Sequence, residues 1–333
     1  MPRRLTSRDV AALSGVSQTT VSRVLRDDPY VRAETRQRVL KVLDETGYVP
    51  NAAAQRMRTN ETGTFGVVVA GVRNPFYPEI IEALSDTIND SGHLMTLWVA
   101  DDGGEEAAVQ ALSRGLIDGV IYTTISRRST SLVAALERKA PVVLLNRTLR
   151  IPCDKVASDN GAGAAAAARH LLELGHERIG LIAGEEHTNT SDEREAGFRR
   201  ALSEAGNPLA DARFVRGPFS HPAGYHGMQA LLDRPEPPTA VFCVNDLVAF
   251  GAIDGARVRG VRVPDDVSVV GFDDVDIARW PAYDLTTVRQ PIAEMCRRGV
   301  ALLQERIDGT APSRFRNVRL PAELVARGST RPA

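Results

Sequence analysis

The 333-residue sequence predicts an N-terminal all-α helix-turn-helix domain followed by an α/β domain of two doubly wound lobes. Three observations carry that prediction. Residues 6–25 read as two short capped helices around a glycine turn. From Phe65 onward, short β-branched runs alternate with helical stretches, the pattern of parallel strands joined by crossover helices. More than 260 residues of this alternation exceed one comfortable sheet.

Thr6, with Asp9 three residues on and the apolar run Val10 to Leu13 behind it, marks a helix start whose side-chain oxygens cap free backbone N–H groups. Gly15 breaks that helix and Ser17 caps the next, where Val21, Val24 and Leu25 face inward while Gln18, Thr19, Ser22 and Arg23 face outward. The outward face suits a DNA groove, because arginine pairs bidentately with guanine and Gln, Thr and Ser bond base edges or phosphates. A solvated face on an ordinary helical hairpin has the same composition. A third helix is expected at 33–46, with Val39, Leu40 and Leu43 facing the first two and Gly47 as its stop. After Pro50, Asn51 caps a short stretch containing Ala52, Ala53, Ala54 and Met57. A helix this short forms only when something packs on it.

The strand candidates that follow are Phe65–Ala70, Met95–Ala100, Gly119–Tyr122, Val142–Leu145, Ile179–Ala183, Ala240–Cys243 and Val267–Gly271. Between them fall helices such as Pro78–Ser91, Ser131–Arg138, Gly163–Leu174, Arg194–Ala205 and Leu247–Arg259. Lobes of this kind bind ligands at the C-terminal ends of their strands.

A net charge of −1 over the whole chain suggests no nucleic-acid partner, but the distribution reverses that impression. Residues 1–60 carry 11 Lys and Arg against 6 Asp and Glu, net +5, which leaves −6 for the rest. The basic end is a phosphate-binding candidate. Cys153, Cys243 and Cys296 are widely spaced and lack a CxxC pair, which argues against a disulfide framework or zinc site. No segment reaches the ~18–20 apolar residues of a membrane span, and no apolar run follows the N-terminal arginines, so a cytoplasmic protein is expected.

Gly161-Ala-Gly163-Ala-Ala-Ala166, with Glu185 about 20 residues later, fits the G-x-G-x-x-A dinucleotide fingerprint. It keeps open a second reading, an NAD-dependent α/β oxidoreductase with a regulatory helical N-terminus. The preceding IPCDKVASDN is a poor, polar strand, and an alanine-rich helix needs no phosphate to explain it. The six histidines are scattered, with neither an HExxH nor a G-x-S-x-G pattern, so no catalytic or metal constellation is expected.

The run TSRDVAALSGVSQTTVSRVL resembles the N-terminal domain of the LacI/GalR family of bacterial repressors almost letter for letter. The remainder resembles that family's effector-binding core, of the type I periplasmic-binding-protein-like fold, in Asn74-Pro75-Phe76-Tyr77, in Thr190-Ser-Asp-Glu-Arg194-Glu-Ala-Gly197-Phe198, in Asn245-Asp246 and in Gly271-Phe272-Asp273. The resemblance implies a repressor without cofactor or enzymatic activity, acting as a homodimer on a near-palindromic operator in double-stranded DNA under a sugar-like effector. It places Gln18, Thr19 and Arg23 on base edges, Ser17, Ser22 and Asn51 on phosphates, and Met57, where the family usually has Leu, as a minor-groove wedge. It assigns effector contacts to Phe76, Tyr77, Asn146, Thr190, Arg194, Phe219, Asn245 and Asp273, and helix capping to Asp246. The implied domains are 1–50 for DNA binding, 51–62 for a hinge helix and linker, and 63–333 for effector binding and dimerisation. Within the last, lobe 1 covers about 63–160 and 291–320, and lobe 2 about 161–290 and 321–333. A transport sugar-binding protein is disfavoured by the N-terminal sixty residues.

Overall fold

The computed structural model of the chain describes residues 5–25, 27–48, 61–100, 103–125, 130–149, 151–186 and 188–333. They divide between Thr62 and Gly63 into two compact units. Asn51 and Met57 lie outside the described residues.

In the first unit, α1 (Ser7–Ser14), α2 (Gln18–Val24) and α3 (Ala33–Thr46) enclose a small core of Val10, Ala11, Val21, Val24 and Val39. Thr6 and Asp9 form a reciprocal capping box, and Gly15 closes α1 at φ 65°, a left-handed conformation that costs glycine nothing. Ser17 Oγ accepts from Thr20 N at 3.1 Å and starts α2. Two residues expected inside are outside: Leu25 is 39% and Leu40 49% exposed. Leu25 lies past the last turn of α2, and Leu40 stands about 100° round the helix from Val39, whose face continues through Val42 and Leu43 at i+3 and i+4.

The second unit holds two six-stranded sheets. The first lobe contributes β1 (Thr64–Val69), β2 (Leu94–Val99), β3 (Gly119–Tyr122), β4 (Val142–Leu145), β5 (Asp154–Ser158) and β11 (Asn317–Leu320), all parallel in the order β11-β5-β4-β3-β1-β2. The second contributes β6 (Ile179–Ala183), β7 (Phe214–Arg216), β8 (Ala240–Cys243), β9 (Ser268–Asp273), β10 (Thr286–Arg289) and β12 (Glu323–Val325), in the order β12-β10-β9-β8-β6-β7, with only β12 antiparallel to its neighbour. Every residue of β1, β3, β4, β6, β8 and β9 is buried, which explains their near-continuous apolar runs in sequence.

The sequence reading left out β5, β7, β10, β11 and β12, which are short or polar. β5 is held by Asp154, whose fully buried carboxylate accepts from Arg306 Nε at 2.8 Å and Arg316 Nη2 at 3.0 Å. Burial alone would raise its pKa, but the hydrogen bonds from Arg306 and Arg316 hold it below the usual carboxylate range.

Three chain passages join the lobes, after β5, after β10 and between β11 and β12. Across them Ser158 Oγ donates to Gln290 Oε1 at 2.6 Å, and Asp159 N donates to the Leu320 carbonyl at 2.8 Å. The segment 285–291 contains the lobe-2 strand β10 and crosses to lobe 1 only at its end. The helix that follows, Ile292–Ile307, packs back on lobe 1 through Met295, Cys296 and Val300 against Ile80 and Leu84.

Candidate functional site

The residues of the first unit expected to face DNA are, where described, gathered on one helix and its cap. Ser17, Gln18, Thr19 and Arg23 are exposed on the second helix and its cap, and Ser22 is half-buried beside them. Several already have partners within the unit: Ser17 Oγ accepts from Thr20 N at 3.1 Å, Gln18 Nε2 donates to Ser7 Oγ at 2.7 Å, and Arg23 Nε to Asp28 Oδ2 at 2.8 Å.

In the second unit a cleft of about 1160 Å³ opens between the lobes, at the C-terminal ends of both sets of parallel strands. All eight residues singled out from the sequence of this unit line it: Phe76, Tyr77, Asn146, Thr190, Arg194, Phe219, Asn245 and Asp273. Phe76 and Tyr77 open a lobe-1 helix, Phe76–Asp90, whose first turn is bound by Asn74: its side-chain oxygen accepts from Phe76 N at 3.1 Å. Phe219 packs edge-in against Gly184, where a side chain of any size would collide with its ring.

Strand ends carry the polar groups. Asn146 follows β4 with φ 57°, and β9 ends at Asp273 with φ 133° and Asp274 with φ 61°. Non-glycine residues adopt such conformations at a cost, which concentrates at functional sites. Arg194 rises from the lobe-2 helix Asn189–Glu204, and its guanidinium lies 3.7 Å from the Phe272 ring centroid. Its Nε donates to Asn160 Oδ1 and its Nη1 to the Val244 carbonyl, each at 2.8 Å, with Asp273 Oδ1 3.2 Å away. Gln290 Nε2 donates to the same Asp273 oxygen at 2.7 Å. Burial lowers the Arg194 pKa, against the pull of Asp273 and Asp246. Burial raises that of Asp273 even though Arg194 and Gln290 favour its charged form.

The capping role expected of Asp246 is corrected, and Asn245, which lines the cleft as expected, carries it as well. Asn245, with extended backbone, is the cap: its Oδ1 accepts from Val248 N at 3.0 Å and starts the helix Asp246–Val258. Asp246 is instead fully buried at the start of that helix, accepting from Val275 N at 3.0 Å and from the Thr287 hydroxyl. Burial, and then the neighbouring Asp273 charge, push its pKa up.

Arg147 was missed in the sequence. It lines the cleft at 7% exposure, donating to the Asn146 carbonyl at 2.7 Å and to the Tyr77 hydroxyl at 3.2 Å. Its position immediately after Asn146, at the end of the apolar run VVLL, was the available signal.

The glycine fingerprint has a packing explanation. Gly161 and Gly163 lie in the helix Asn160–Glu173, capped by Asp159 Oδ1 on Ala162 N at 2.9 Å. The strand before them, β5, belongs to the other lobe, unlike the single βαβ unit of a dinucleotide site. A methyl on Gly163 would press on Val288 and Phe272, and one on Gly197 of the next helix would overlap the Gly161 backbone. Among the described residues no His, Cys, Asp and Glu cluster could hold a metal ion, and no helix is long and apolar enough to cross a membrane.

A helix-turn-helix unit and a bilobed cleft floored by a buried arginine–aspartate pair define, in one chain, a ligand-responsive DNA-binding regulator. Residues 6–51 match the family model of bacterial regulatory proteins of the lacI family, and residues 168–330 that of periplasmic binding protein-like domains. The chain is 36% identical to the transcriptional regulator DegA of Bacillus subtilis over 99% of both chains, and 34% identical to the transcriptional repressor CytR of Escherichia coli K12 over 98% of this chain and 96% of that one. Among solved structures it resembles a CelR–cellobiose complex (32% identity, TM-score 0.75, covering 98% of this chain and 100% of that one). It also resembles the lac repressor dimer bound to operator and the anti-inducer ONPF (26%, TM-score 0.86, 99% and 100%). The chain belongs to the LacI family of bacterial transcriptional regulators. The oxidoreductase alternative has no support among these relatives.

Proposed function

We propose that this regulator is a repressor that binds a near-palindromic operator as a homodimer and is controlled by a small polar, sugar-like effector in the lobe cleft. The observation that carries the reading is the convergence of eight residues, scattered from Phe76 to Asp273, on one cleft. Phe76, Tyr77 and Phe219 offer apolar faces to a ring; Asn146, Thr190, Arg194, Asn245 and Asp273 offer hydrogen bonds that orient it. Gln18, Thr19 and Arg23 read bases, Ser17, Ser22 and Asn51 hold phosphates, and Met57 wedges the minor groove. The exposed apolar side chains of the edge strand β2, Leu94, Leu97 and Val99, support a second copy as partner. Such a protein works in the cytoplasm, where the chromosome is, and needs no catalytic step.

The test is a salt-titrated pull-down of sheared genomic DNA on the purified full-length chain, sequenced and repeated with sugars and nucleosides. Recovery of one palindromic site, weakened or strengthened by one compound, is expected. Binding that is salt-sensitive but blind to sequence would overturn the operator reading.

A further inference from the structure

The cleft contains two buried guanidinium groups in different electrostatic positions. Arg194 is paired with Asp273 and donates from Nε to Asn160 and from Nη1 to the Val244 carbonyl. Arg147 has no carboxylate within ion-pairing distance among the described residues, and its two hydrogen bonds go to a backbone carbonyl and a tyrosine hydroxyl. These use two of five N–H donors. Asp273 is bonded by Gln290 and paired with Arg194, and feels the Arg147 charge only from beyond ion-pairing distance, while the more exposed Glu105, Glu106 and Glu185 of the cleft lining form no ion pair with Arg147. A buried cation with no ion-pair partner among the described residues is costly, and a ligand anion relieves that cost. Beside it, the Oδ1 atom of Asn146, 4% exposed, is buried without a hydrogen-bond partner and calls for a ligand donor such as a hydroxyl.

We infer that the effector is a hydroxylated anion, a sugar acid or sugar phosphate, whose carboxylate or phosphate is seated on Arg147 while a hydroxyl satisfies Asn146. The inference rests on the cleft being the effector site. The lobe-1 backbone is built for it: the left-handed turn at Asn146 puts two consecutive side chains, Asn146 and Arg147, on the cleft wall, where an extended strand would send them to opposite faces. A planar guanidinium with free N–H groups binds either anion in a fork.

The experiment is calorimetric titration of the full-length chain with hexoses and pentoses, their phosphates, the corresponding aldonates, and inorganic phosphate. One anionic class is expected to bind at least ~tenfold more tightly than its neutral parent, and the phosphate and aldonate arms separate the two anions. Arg147→Met should remove that preference and Arg147→Lys, which keeps the charge and loses the fork, should retain part of it; melting temperatures show whether each variant is folded. Neutral sugars binding as tightly as anions, unchanged anion affinity in Arg147→Met, or no binding by any member of the panel would overturn the inference. Neutral-sugar binding lost in Phe219→Ala but kept in Arg147→Met would remove the anion and leave the cleft reading standing. Ligand binding that neither variant alters would remove both.

Discussion

Arg23 is already paired with Asp28, so the proposed base reading would exchange that hydrogen bond for one to a base edge rather than create a contact from nothing. Arg23→Ala should still weaken operator binding by about 1–3 kcal/mol and relax base preference at one position, because a bidentate arginine–guanine pair carries that discrimination. Fluorescence anisotropy on operator and scrambled duplexes measures it; an equal loss on both would take Arg23 off the bases. In the cleft, Asp273→Ala should destroy the effector response and also lower stability by roughly 3–5 kcal/mol, since Arg194 would be left buried without its counter-charge. Denaturant titration separates the two effects, and an unchanged midpoint would mean that Arg194 is not held by this pair. Asp246 offers a pH test. Its folded-state pKa is raised, so proton binding favours the folded form, and its contribution is lost as pH rises above the ordinary carboxylate range. Asp246→Asn should therefore gain in melting temperature relative to the parent as pH increases from about 5 to 9, and a difference independent of pH would show that Asp246 does not titrate there.

At the scale of elements, close approach decides which residues are small. The helices Asn160–Glu173 and Asn189–Glu204 touch backbone to backbone at Gly161 and Gly197. Gly197→Ala forces them apart and should cost about 1–3 kcal/mol, read as a lower melting temperature with operator contacts untouched in the other unit. A neutral result would mean that the pair separates freely. The same helix carries Arg194 three residues before Gly197, so a fingerprint that resembles a phosphate loop in sequence serves instead to bring a cleft residue close to the sheet. Asn245 illustrates the same scale, as one side chain both ends on the cleft wall and starts the helix behind it.

At the scale of the second unit, ion pairs and hydrogen bonds cross between the lobes, one set of them from β11 just before its passage. Glu193 of lobe 2 accepts from Arg319 Nη2 at 2.8 Å and Nη1 at 2.9 Å, and from Thr148 Oγ1 at 2.5 Å, both lobe-1 residues. Glu79 of lobe 1 accepts from Asp276 N of lobe 2 at 2.7 Å. Burial would raise the Glu193 pKa, but Arg319 and Thr148 hold it below its ordinary value, so the latch is intact above the usual carboxylate range and released as pH falls through that lowered value. Arg319→Ala should change the lobe-angle distribution in small-angle scattering and shift effector affinity within the ~1–3 kcal/mol typical of such coupling. Identical scattering and affinity would reduce the pair to surface decoration. None of these latches was legible in the sequence, whereas the helix-turn-helix unit, seven of the twelve strands and the eight cleft residues were. The legible features come from short-range patterns: a cap three residues from its donor, a 3.6-residue apolar face, a fully buried strand written as VVLL, or a family motif that preserves spacing. Polar strands such as β5, the burial of Asp246 against Thr287, and the lack of an ion-pair partner for Arg147 among the described residues depend on partners far along the chain, as Ser158 and Gln290, 132 positions apart, make plain. Local propensity reports what a segment can form on its own, and only the folded chain decides which buried charge is neutralised and which is left waiting for a ligand.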